Sequence, residues 1–464
     1  MKTISIASTL VGLAFVLFTL PADVNPPGAL TGSALVLAIA LCLGPLIAAL
    51  KEPKAFFCAE NIVILGLVYW VLLDPIQGFY GIYRAIPGDI ERAFIAVAAF
   101  ALGVWLGSVL QRGHVPGVLN AITEVNVQPR TILVVGAVAF TLAFLRFAIP
   151  SGFDPGVMFQ ALGASRWEAP WARASMGGVD AFLDHLSYFG YILPVLTVVV
   201  ARQEGWTSPR TIALAAMALV IGAFLAQSGG RRIVGALLGS AGLLWFLAQP
   251  RIRPWVVLAF AAACVALLGL LDVMVTYRNA GLAAVLDPNV ADQILINRGG
   301  PLIRVDDNFL RLTEITAIFP QMEPHTTWRY ALWVVARPIP RLLWPGKPLD
   351  PGFSLAEFHG MPGLTLSVSV VGELFMAGGL FAVLLGGLLY GWLAGCLTSL
   401  VRRTPGHASL LVFSLGALAL FVGVRSMIEL VLMSYGILAW GVLAFLLRLR
   451  RSAHAPPNRP LAGT

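Results

Sequence analysis

Apolar stretches long enough to cross a bilayer recur along nearly the whole chain of 464 residues. A spanning helix needs roughly 20 mostly apolar residues, and the pattern predicts about twelve of them. They are expected at residues 4–20, 28–50, 60–80, 92–111, 131–149, 180–201, 210–227, 233–249, 254–277, 368–400, 408–424 and 429–448. The predicted fold is therefore an all-α polytopic membrane protein, with residues 1–464 forming a single integral membrane domain.

One long polar segment, residues 278–366, interrupts the apolar pattern. Charge is costly in hydrocarbon and is retained mainly beside water or at a site, so this segment is where a polar substrate is expected. Apolar positions at helical spacing predict two short helices within it, and these are expected to lie flat at the membrane interface. The first contains Phe309, Leu312 and Ile315, and the second contains Trp328, Leu332 and Val335. Closely spaced prolines from Pro338 to Pro351 predict an irregular, extended stretch after the second helix.

The distribution of Lys and Arg among the short loops predicts the orientation of the chain. Twelve spans place both ends on one side, and that side holds about fifteen basic residues against about eight in the short loops opposite. Basic loops favour the cytoplasm, so both termini are expected to be cytoplasmic. In a bacterial inner membrane, the 278–366 segment would then be a large periplasmic loop.

Composition agrees with a membrane protein and excludes several classes of site. Hydrophobic residues make up 58% of the chain and charged residues 12%. The cysteines at 42, 58, 264 and 396 have no spacing typical of a disulfide framework or a zinc site. No nucleotide-binding or zinc-hydrolase motif occurs, and nothing indicates nucleic-acid binding. We therefore expect no cofactor and no metal.

Several arginines are expected at the outer membrane boundary. Arg231 and Arg232 follow Gly229 and Gly230 in a tight turn, where glycine lets a ligand approach the backbone. Paired guanidiniums suit phosphate, which favours a diphosphate headgroup as ligand; the alternative is that both side chains reach toward lipid headgroups. Two further arginines, Arg278 and Arg425, could join the cluster, although Arg425 could instead pair with a carboxylate four residues later.

A carboxylate at the predicted start of the tenth span forms a second candidate. Glu373 shares a helical face with Ser369, just below the outer surface, where a lone carboxylate is costly. It could accept a proton from a sugar hydroxyl, or it could pair with an outer arginine and only organise the site. Glycines from Gly378 to Gly395 lie further along the same predicted helix, and we expect them to pack closely against a neighbouring helix.

The outer loop near residues 150–179 carries aromatic and basic side chains together. Arg166 precedes Trp167, and Trp171 follows within the same loop. Tryptophans in such a position suit a belt at the headgroup level or a surface on which sugars stack. We favour the belt.

The order of these features resembles the bacterial O-antigen and oligosaccharide-repeat-unit polymerases, the Wzy-like polysaccharide polymerases. The resemblance rests on a Ser-Gly-Gly-Arg-Arg turn at 228–232, a late outer loop, a Pro-Arg-x-x-Trp-Pro-x-Lys-Pro run at 340–348, and Ser-x-x-x-Glu at 369–373. It covers residues 220–395 and no residue-level catalytic role carries over with it. It implies metal-independent, inverting joining of undecaprenyl-diphosphate-linked repeat units on the outer face, with a flippase and a chain-length regulator as partners. A related ligase or exopolysaccharide enzyme would look similar.

The chemistry of such a glycosyltransferase matches residues identified independently. Expulsion of a diphosphate is favoured by cations on the leaving group, and Arg231, Arg232, Arg278 and Arg425 are the candidates. The attacking hydroxyl needs a base. The outer-side candidates for this base are Glu373 first and His359 second. Asp306 and Asp307 follow, but they lie between arginines and could instead pair with them. Two basic residues, Arg341 and Lys347, could hold the acceptor.

Other functions remain open from the sequence. A secondary transporter or a flippase for lipid-linked oligosaccharide would use Asp74, Asp272 and Glu429 as coupling carboxylates. Charges concentrate on one face of the predicted bundle and no internal repeat is evident, which favours an enzyme. A non-catalytic subunit of a polysaccharide export machine is a third alternative. Metal-dependent lipid-linked glycosyltransferases usually carry an acidic pair in the first outer loop, where this chain has only Asp23.

Overall fold

The computed structural model shows an all-α, multi-pass membrane protein. It describes residues 2–79, 86–111, 113–125, 128–172, 178–228, 230–277, 279–281, 284, 287, 289, 300–339, 344–348, 351–361, 364 and 366–453. Over this part of the chain the regular structure is helical and contains no β-strand. The fold class predicted from the sequence is therefore confirmed.

The first thirteen helices precede the long polar segment. They are α1 (Lys2–Thr19), α2 (Thr31–Lys51), α3 (Ala59–Leu67), α4 (Leu73–Ile76), α5 (Pro87–Leu110), α6 (Gly117–Thr123), α7 (Pro129–Ala148), α8 (Pro155–Gly163), α9 (Gly178–Ser187), α10 (Leu193–Glu204), α11 (Pro209–Gln227), α12 (Arg231–Leu247) and α13 (Pro254–Tyr277). A π-helical turn, Val68–Leu72, joins α3 to α4, and a 3₁₀ turn, Tyr188–Ile192, joins α9 to α10.

The remaining helices belong to the polar segment and the last part of the bundle. They are α14 (Asn308–Ile318), α15 (Trp328–Ala336), α16 (Leu355–Phe358), α17 (Ser369–Arg403), α18 (His407–Gly423) and α19 (Met427–Ala453). Proline begins α5, α7, α11 and α13. Its fixed backbone angle suits the first helical position, where the missing N–H would have had no helical partner.

Each of the twelve predicted spans coincides with a helix or a continuous run of helical turns. Within the described residues, ten of these segments are long and apolar enough to cross a membrane. The other two, α12 and α18, have 17 residues each. Ten of the twelve predicted crossings are therefore supported, and the crossings assigned to α12 and α18 stay predictions.

Contacts near the two ends of α5 show which parts of the chain lie at each end of the bundle. At one end, the Lys2 ammonium donates to the carbonyl of Ser108 at 2.7 Å. At the opposite end, the Thr316 hydroxyl donates to the carbonyl of Asp89 at 3.0 Å. Ser108 and Asp89 lie near the two ends of α5, so the chain start and the polar segment occupy opposite ends of the bundle.

The closest helix packing in the described structure joins α5 to α17. A Cβ atom added at Gly391 would overlap the carbonyl oxygen of Val104, and one at Gly387 would overlap that of Phe100. Gly103 and Gly107 on α5 meet the α17 backbone in the same way. This glycine seam, formed by Gly103, Gly107, Gly387 and Gly391, confirms the expectation of close packing along that face.

Two of the glycines expected in that packing do something else. Gly378 and Gly379 have non-helical backbone angles, and Gly379 has a φ of 64°, so α17 is broken at this point. The span predicted at 368–400 is present, with a break inside it that the sequence did not predict. The freed carbonyl oxygens find new donors: Met376 accepts from the amide of Thr326 at 2.9 Å, and Ala377 accepts from that of Thr327 at 3.1 Å. Backbone groups at such a break have to be satisfied by neighbouring protein.

The two short helices of the polar segment differ in burial. In α15, Trp328 is 70% exposed and Val335 72% exposed, as expected for a helix with one free apolar face. In α14, most side chains are buried, including Phe309, Leu312 and Glu314. That helix packs between α5 and α17, so the expectation of an interfacial helix was wrong for α14. At the start of α14, the side-chain amide nitrogen of Asn308 donates to the carbonyl of Trp70 at 2.8 Å.

Candidate functional site

Arginines from separate parts of the chain meet at the end of the bundle that carries the polar segment. Arg231 lies at the first position of α12, and Arg425 lies in the turn between α18 and α19. Both bind Asp306: Arg231 Nη2 is 3.1 Å from Asp306 Oδ1, and Arg425 Nε hydrogen-bonds to Asp306 Oδ2. Arg231 also donates to the carbonyl of Arg304 at 2.9 Å. The carboxylate thus fixes two guanidiniums from distant segments.

A second carboxylate extends this arrangement into a row of alternating charges. Glu429 Oε1 lies 2.8 Å from Arg232 Nε and 3.5 Å from Arg425 Nη1. The internal pair anticipated between Arg425 and Glu429 is therefore present, and Arg425 also takes part in the arginine cluster around Asp306. We call the row Arg231, Asp306, Arg425, Glu429 and Arg232 the ion-pair row.

The protonation state of Asp306 follows from its neighbours. Burial by itself would raise the pKa of this carboxyl group, but the guanidiniums of Arg425 and Arg231 outweigh burial and hold the pKa below its ordinary value. The carboxylate is therefore ionised at neutral pH. Three arginines against two carboxylates leave the ion-pair row with an excess of positive charge.

The row lines a cavity of about 320 Å³. Five arginines and three acidic residues contribute to its described wall, giving it a formal charge of +2; they are Arg146, Arg166, Arg231, Arg232, Arg425, Asp184, Asp306 and Glu429. Aromatic side chains complete much of the remaining wall, among them Trp167, Trp171 and Tyr188. A cavity that combines guanidiniums with aromatic rings can hold an anionic group joined to a ring-shaped polar body.

Sequence reasoning missed Arg146. Its side chain is buried near the end of α7, where Nε lies 2.6 Å from Asp184 Oδ1 and Nη2 donates to the carbonyl of Trp171 at 3.0 Å. The available signal was a cation inside an apolar stretch, which is a reason to suspect a site. The stretch was instead assigned as an ordinary span.

The two tryptophans of the 150–179 loop have different environments. Trp171 is buried, donates through its indole nitrogen to Gln227 Oε1 at 2.7 Å, and packs edge-on against Phe147 and Phe224. A headgroup belt needs exposed rings, so the belt interpretation was wrong for Trp171. Trp167 is 65% exposed, and the Arg166 guanidinium lies 4.1 Å from its ring centroid.

Glu373 is buried beside this cavity but does not line it within the described structure. It accepts hydrogen bonds at 2.6 Å from the Ser426 hydroxyl and the Met427 amide, at the start of α19. Tyr330 also hydrogen-bonds to it, and burial together with this carboxylate raises the pKa of Tyr330 well above its usual value. These contacts brace the turn that carries Arg425. A role as catalytic base stays a prediction.

Asp307 belongs to a separate cluster. Its carboxylate lies 2.7 Å from Arg311 Nη2, and Arg311 donates to Glu314 at 2.8 Å. Glu314 in turn is 3.1 Å from Nε2 of His359, which is 30% exposed at the side chain. Local pairing was therefore correct for Asp307 and wrong for Asp306, which reaches across to Arg231 and Arg425. His359 is oriented by a buried carboxylate, and its role as a base stays a prediction.

The remaining candidates lie outside the cavity or outside the described residues. The Lys347 ammonium donates to the carbonyls of Arg337 at 3.1 Å and Ile339 at 2.8 Å, so it braces the loop after α15. Its proposed contact with an acceptor stays a prediction. Arg278 and Arg341 fall outside the residues that the structure describes.

Comparison with known proteins adds no family to this picture. No family model, no curated protein and no solved structure matches the chain.

Proposed function

We propose that this protein is a glycosyltransferase that polymerises undecaprenyl-diphosphate-linked oligosaccharide repeat units, in O-antigen or exopolysaccharide biosynthesis. In this proposal it works at the outer face of the bacterial inner membrane, with both termini in the cytoplasm. The ion-pair row would then face the periplasm. An O-antigen ligase would use the same donor chemistry.

The observation that carries the proposal is the cavity with the ion-pair row in its wall. Its described charged residues have a formal charge of +2. A diphosphate esterified at both ends carries about two negative charges, one for each phosphate. Guanidinium groups bind phosphate through paired donors, and the carboxylates of the row hold these groups in position before the ligand arrives.

The same arrangement suits the chemistry of transfer. The acceptor hydroxyl oxygen forms a bond to the anomeric carbon of the donor sugar, while the bond from that carbon to the diphosphate oxygen breaks. The electron pair of the broken bond leaves with undecaprenyl diphosphate, and the hydroxyl proton passes to a base. Cations fixed beside the leaving oxygen stabilise the charge that develops there. Arg231, Arg232 and Arg425 are assigned this task.

Two residues remain candidates for the base. His359 is partly exposed and is oriented by Glu314, which suits a group that must reach an incoming acceptor. Glu373 is buried and is occupied with Ser426 and Met427. Neither side chain lines the described part of the cavity, so the choice of base rests on their surroundings: partial exposure supports His359 as the base, and the occupied carboxylate supports Glu373 as a positioning residue.

Transport of lipid-linked oligosaccharide is the competing function. Two of its expected coupling carboxylates, Asp272 and Glu429, are ion-paired with Arg304 and with Arg232, respectively. Both pairs lie at the end of the bundle that carries the polar segment. Coupling carboxylates are expected near the middle of the membrane, so these pairs favour the enzyme.

Reconstitution with purified lipid-linked repeat units tests the proposal. Proteoliposomes containing the protein and EDTA should convert single repeats into a ladder of longer chains, and Arg231→Ala should leave only single repeats. Arg210→Ala is the control, because Arg210 pairs with Glu204 at the other end of the bundle. Movement of the lipid-linked unit across the membrane without a ladder would overturn the proposal and identify a transporter.

A further inference from the structure

One wall of the cavity is an aromatic cluster that the diphosphate chemistry does not use. Tyr188 lines the cavity, and its ring stacks on that of Tyr435 with centroids 4.3 Å apart and an angle of 5° between the planes. His185 packs edge-on against both rings, at 5.7 Å and 5.4 Å. Tyr188 is therefore held in a fixed orientation by one ring from the preceding helix, α9, and one from the distant helix α19.

The same cluster is tied to the polar segment. His185 Nε2 lies 3.1 Å from the carbonyl oxygen of Pro338 and 3.4 Å from the Tyr435 hydroxyl. Pro338 lies two residues after the end of α15. The aromatic wall is thus braced from α9, from α19 and from the loop after α15.

Trp167 supplies a second ring to the cavity wall. It is 65% exposed and carries the Arg166 guanidinium 4.1 Å from its ring centroid. The indole thus lies directly beside a cation of the cavity. A ligand that places an anion at the arginines would bring the next group of the molecule toward these rings.

The size and charge of the cavity define that next group. A volume of about 320 Å³ is near the lower limit of small-ligand pockets, which range over roughly 300–1,000 Å³, and suits one sugar ring with its diphosphate. The formal charge of +2 on the described wall is already matched by the diphosphate. Among the described lining residues, no further positive charge is then left over to neutralise an acidic sugar.

We propose that Trp167 and Tyr188 bind the sugar attached directly to the diphosphate, and that this sugar is uncharged. The inference rests on the proposed function, because it assigns the diphosphate to the ion-pair row. Aromatic rings bind the apolar face of a neutral sugar ring, and their placement selects which sugar fits. Substrate selection is thus assigned to these two residues and leaving-group stabilisation to the arginines.

Binding to the purified full-length protein in nanodiscs tests this proposal. The probes are undecaprenyl diphosphate, the same lipid carrying one neutral hexose, and the same lipid carrying one uronic acid. The neutral hexose should raise the affinity over the bare lipid roughly threefold to tenfold. The uronic acid should give no such gain.

Substitution of Trp167 and Tyr188 tests whether these two rings provide the affinity gained from the hexose. Trp167→Ala and Tyr188→Ala should each remove the gain from the hexose and change the affinity for bare undecaprenyl diphosphate by less than about twofold. Trp206→Ala is the matched control, since Trp206 is 54% exposed and lies in the short loop at the opposite end of the bundle. Trp167 is largely exposed, so its variant should fold even if that of Tyr188 does not.

Three results would overturn the proposal. The first two are tighter binding of the lipid with uronic acid than of the lipid with hexose, and no gain in affinity from the hexose. The third is that Trp167→Ala weakens binding of bare undecaprenyl diphosphate as much as binding of the hexose-carrying lipid. The proposed function itself fails separately, if undecaprenyl diphosphate does not bind at all. In that case the sugar assignment fails with it.

Discussion

The cavity and the glycine seam use opposite means to bring helices together. In the seam, Gly103, Gly107, Gly387 and Gly391 let two helix backbones come into contact, with no charge involved. In the cavity wall, charged side chains from α12, the polar segment and the turn before α19 form ion pairs with one another. Close packing provides stability, whereas charge kept within a membrane bundle is costly and indicates a site.

One helix takes part in both regions. The first turns of α17 carry Glu373, which braces the turn of Arg425, and the later turns form the seam. The break at Gly378 and Gly379 separates these two parts. Changes before the break should therefore affect ligand binding, and changes after it should affect stability.

The largest effect is expected in the cavity. Arg425→Ala should lower the rate of polymer formation roughly 10²-fold to 10³-fold, because a cation on the leaving diphosphate is lost. Its thermal stability in detergent should stay close to that of the parent, since Arg231 still holds Asp306. Polymer length on gels checks the loss of polymer formation, and the melting temperature checks the retained stability. A large drop in melting temperature would show that Arg425 serves folding.

Glu373→Gln should have the next largest effect. The amide group of glutamine would face the donors of Ser426 and Met427 with one acceptor too few, which displaces the turn of Arg425. Affinity for undecaprenyl diphosphate and turnover should both fall, roughly tenfold each. If turnover falls while affinity is unchanged, Glu373 is the base and not a positioning residue.

A change in the seam should produce the opposite pattern. Gly391→Ala places a methyl group against the carbonyl of Val104 and should cost about 1–3 kcal/mol of stability, with diphosphate affinity retained in the folded fraction. Gly269→Ala is the matched control, because nothing lies within 4 Å of the added carbon in α13. Equal melting temperatures for the two variants would contradict the packing argument.

The smallest effect is expected in the pH dependence of the stability that Asp306 contributes. Because the pKa of Asp306 is held below its ordinary value, its contribution to stability is full above about pH 3.9 and disappears as pH falls through the lower, folded-state pKa. The difference in melting temperature between the parent and Asp306→Asn should therefore stay constant from about pH 8 to pH 5 and shrink only below about pH 4. A difference that already shrinks near pH 6 would contradict the ion-pair row.

The sequence predicted the parts of the structure that depend on local patterns. Apolar length located the crossing helices, and a turn with glycines identified Arg231 and Arg232. Asp306 could not be assigned in this way, because its partners lie 75 and 119 residues away and its nearest arginines offered a local alternative.

Two further features gave local signals that pointed to the wrong structure. Gly378 and Gly379 look the same in the sequence whether they pack a helix face or break the helix, and only the neighbouring amides of Thr326 and Thr327 decide between the two. Trp171 lies in an outer loop, yet its ring is buried by contacts with Phe147 and Phe224. Tertiary contacts determine both outcomes.

The affinity of the purified protein for undecaprenyl diphosphate tests the central claim most directly. The parent and Arg210→Ala should bind it alike, while the double variant Arg231→Ala, Arg425→Ala should bind it at least about a hundredfold more weakly and remain folded. Equal affinity in the parent and a folded double variant would contradict the assignment of the cavity as a diphosphate site.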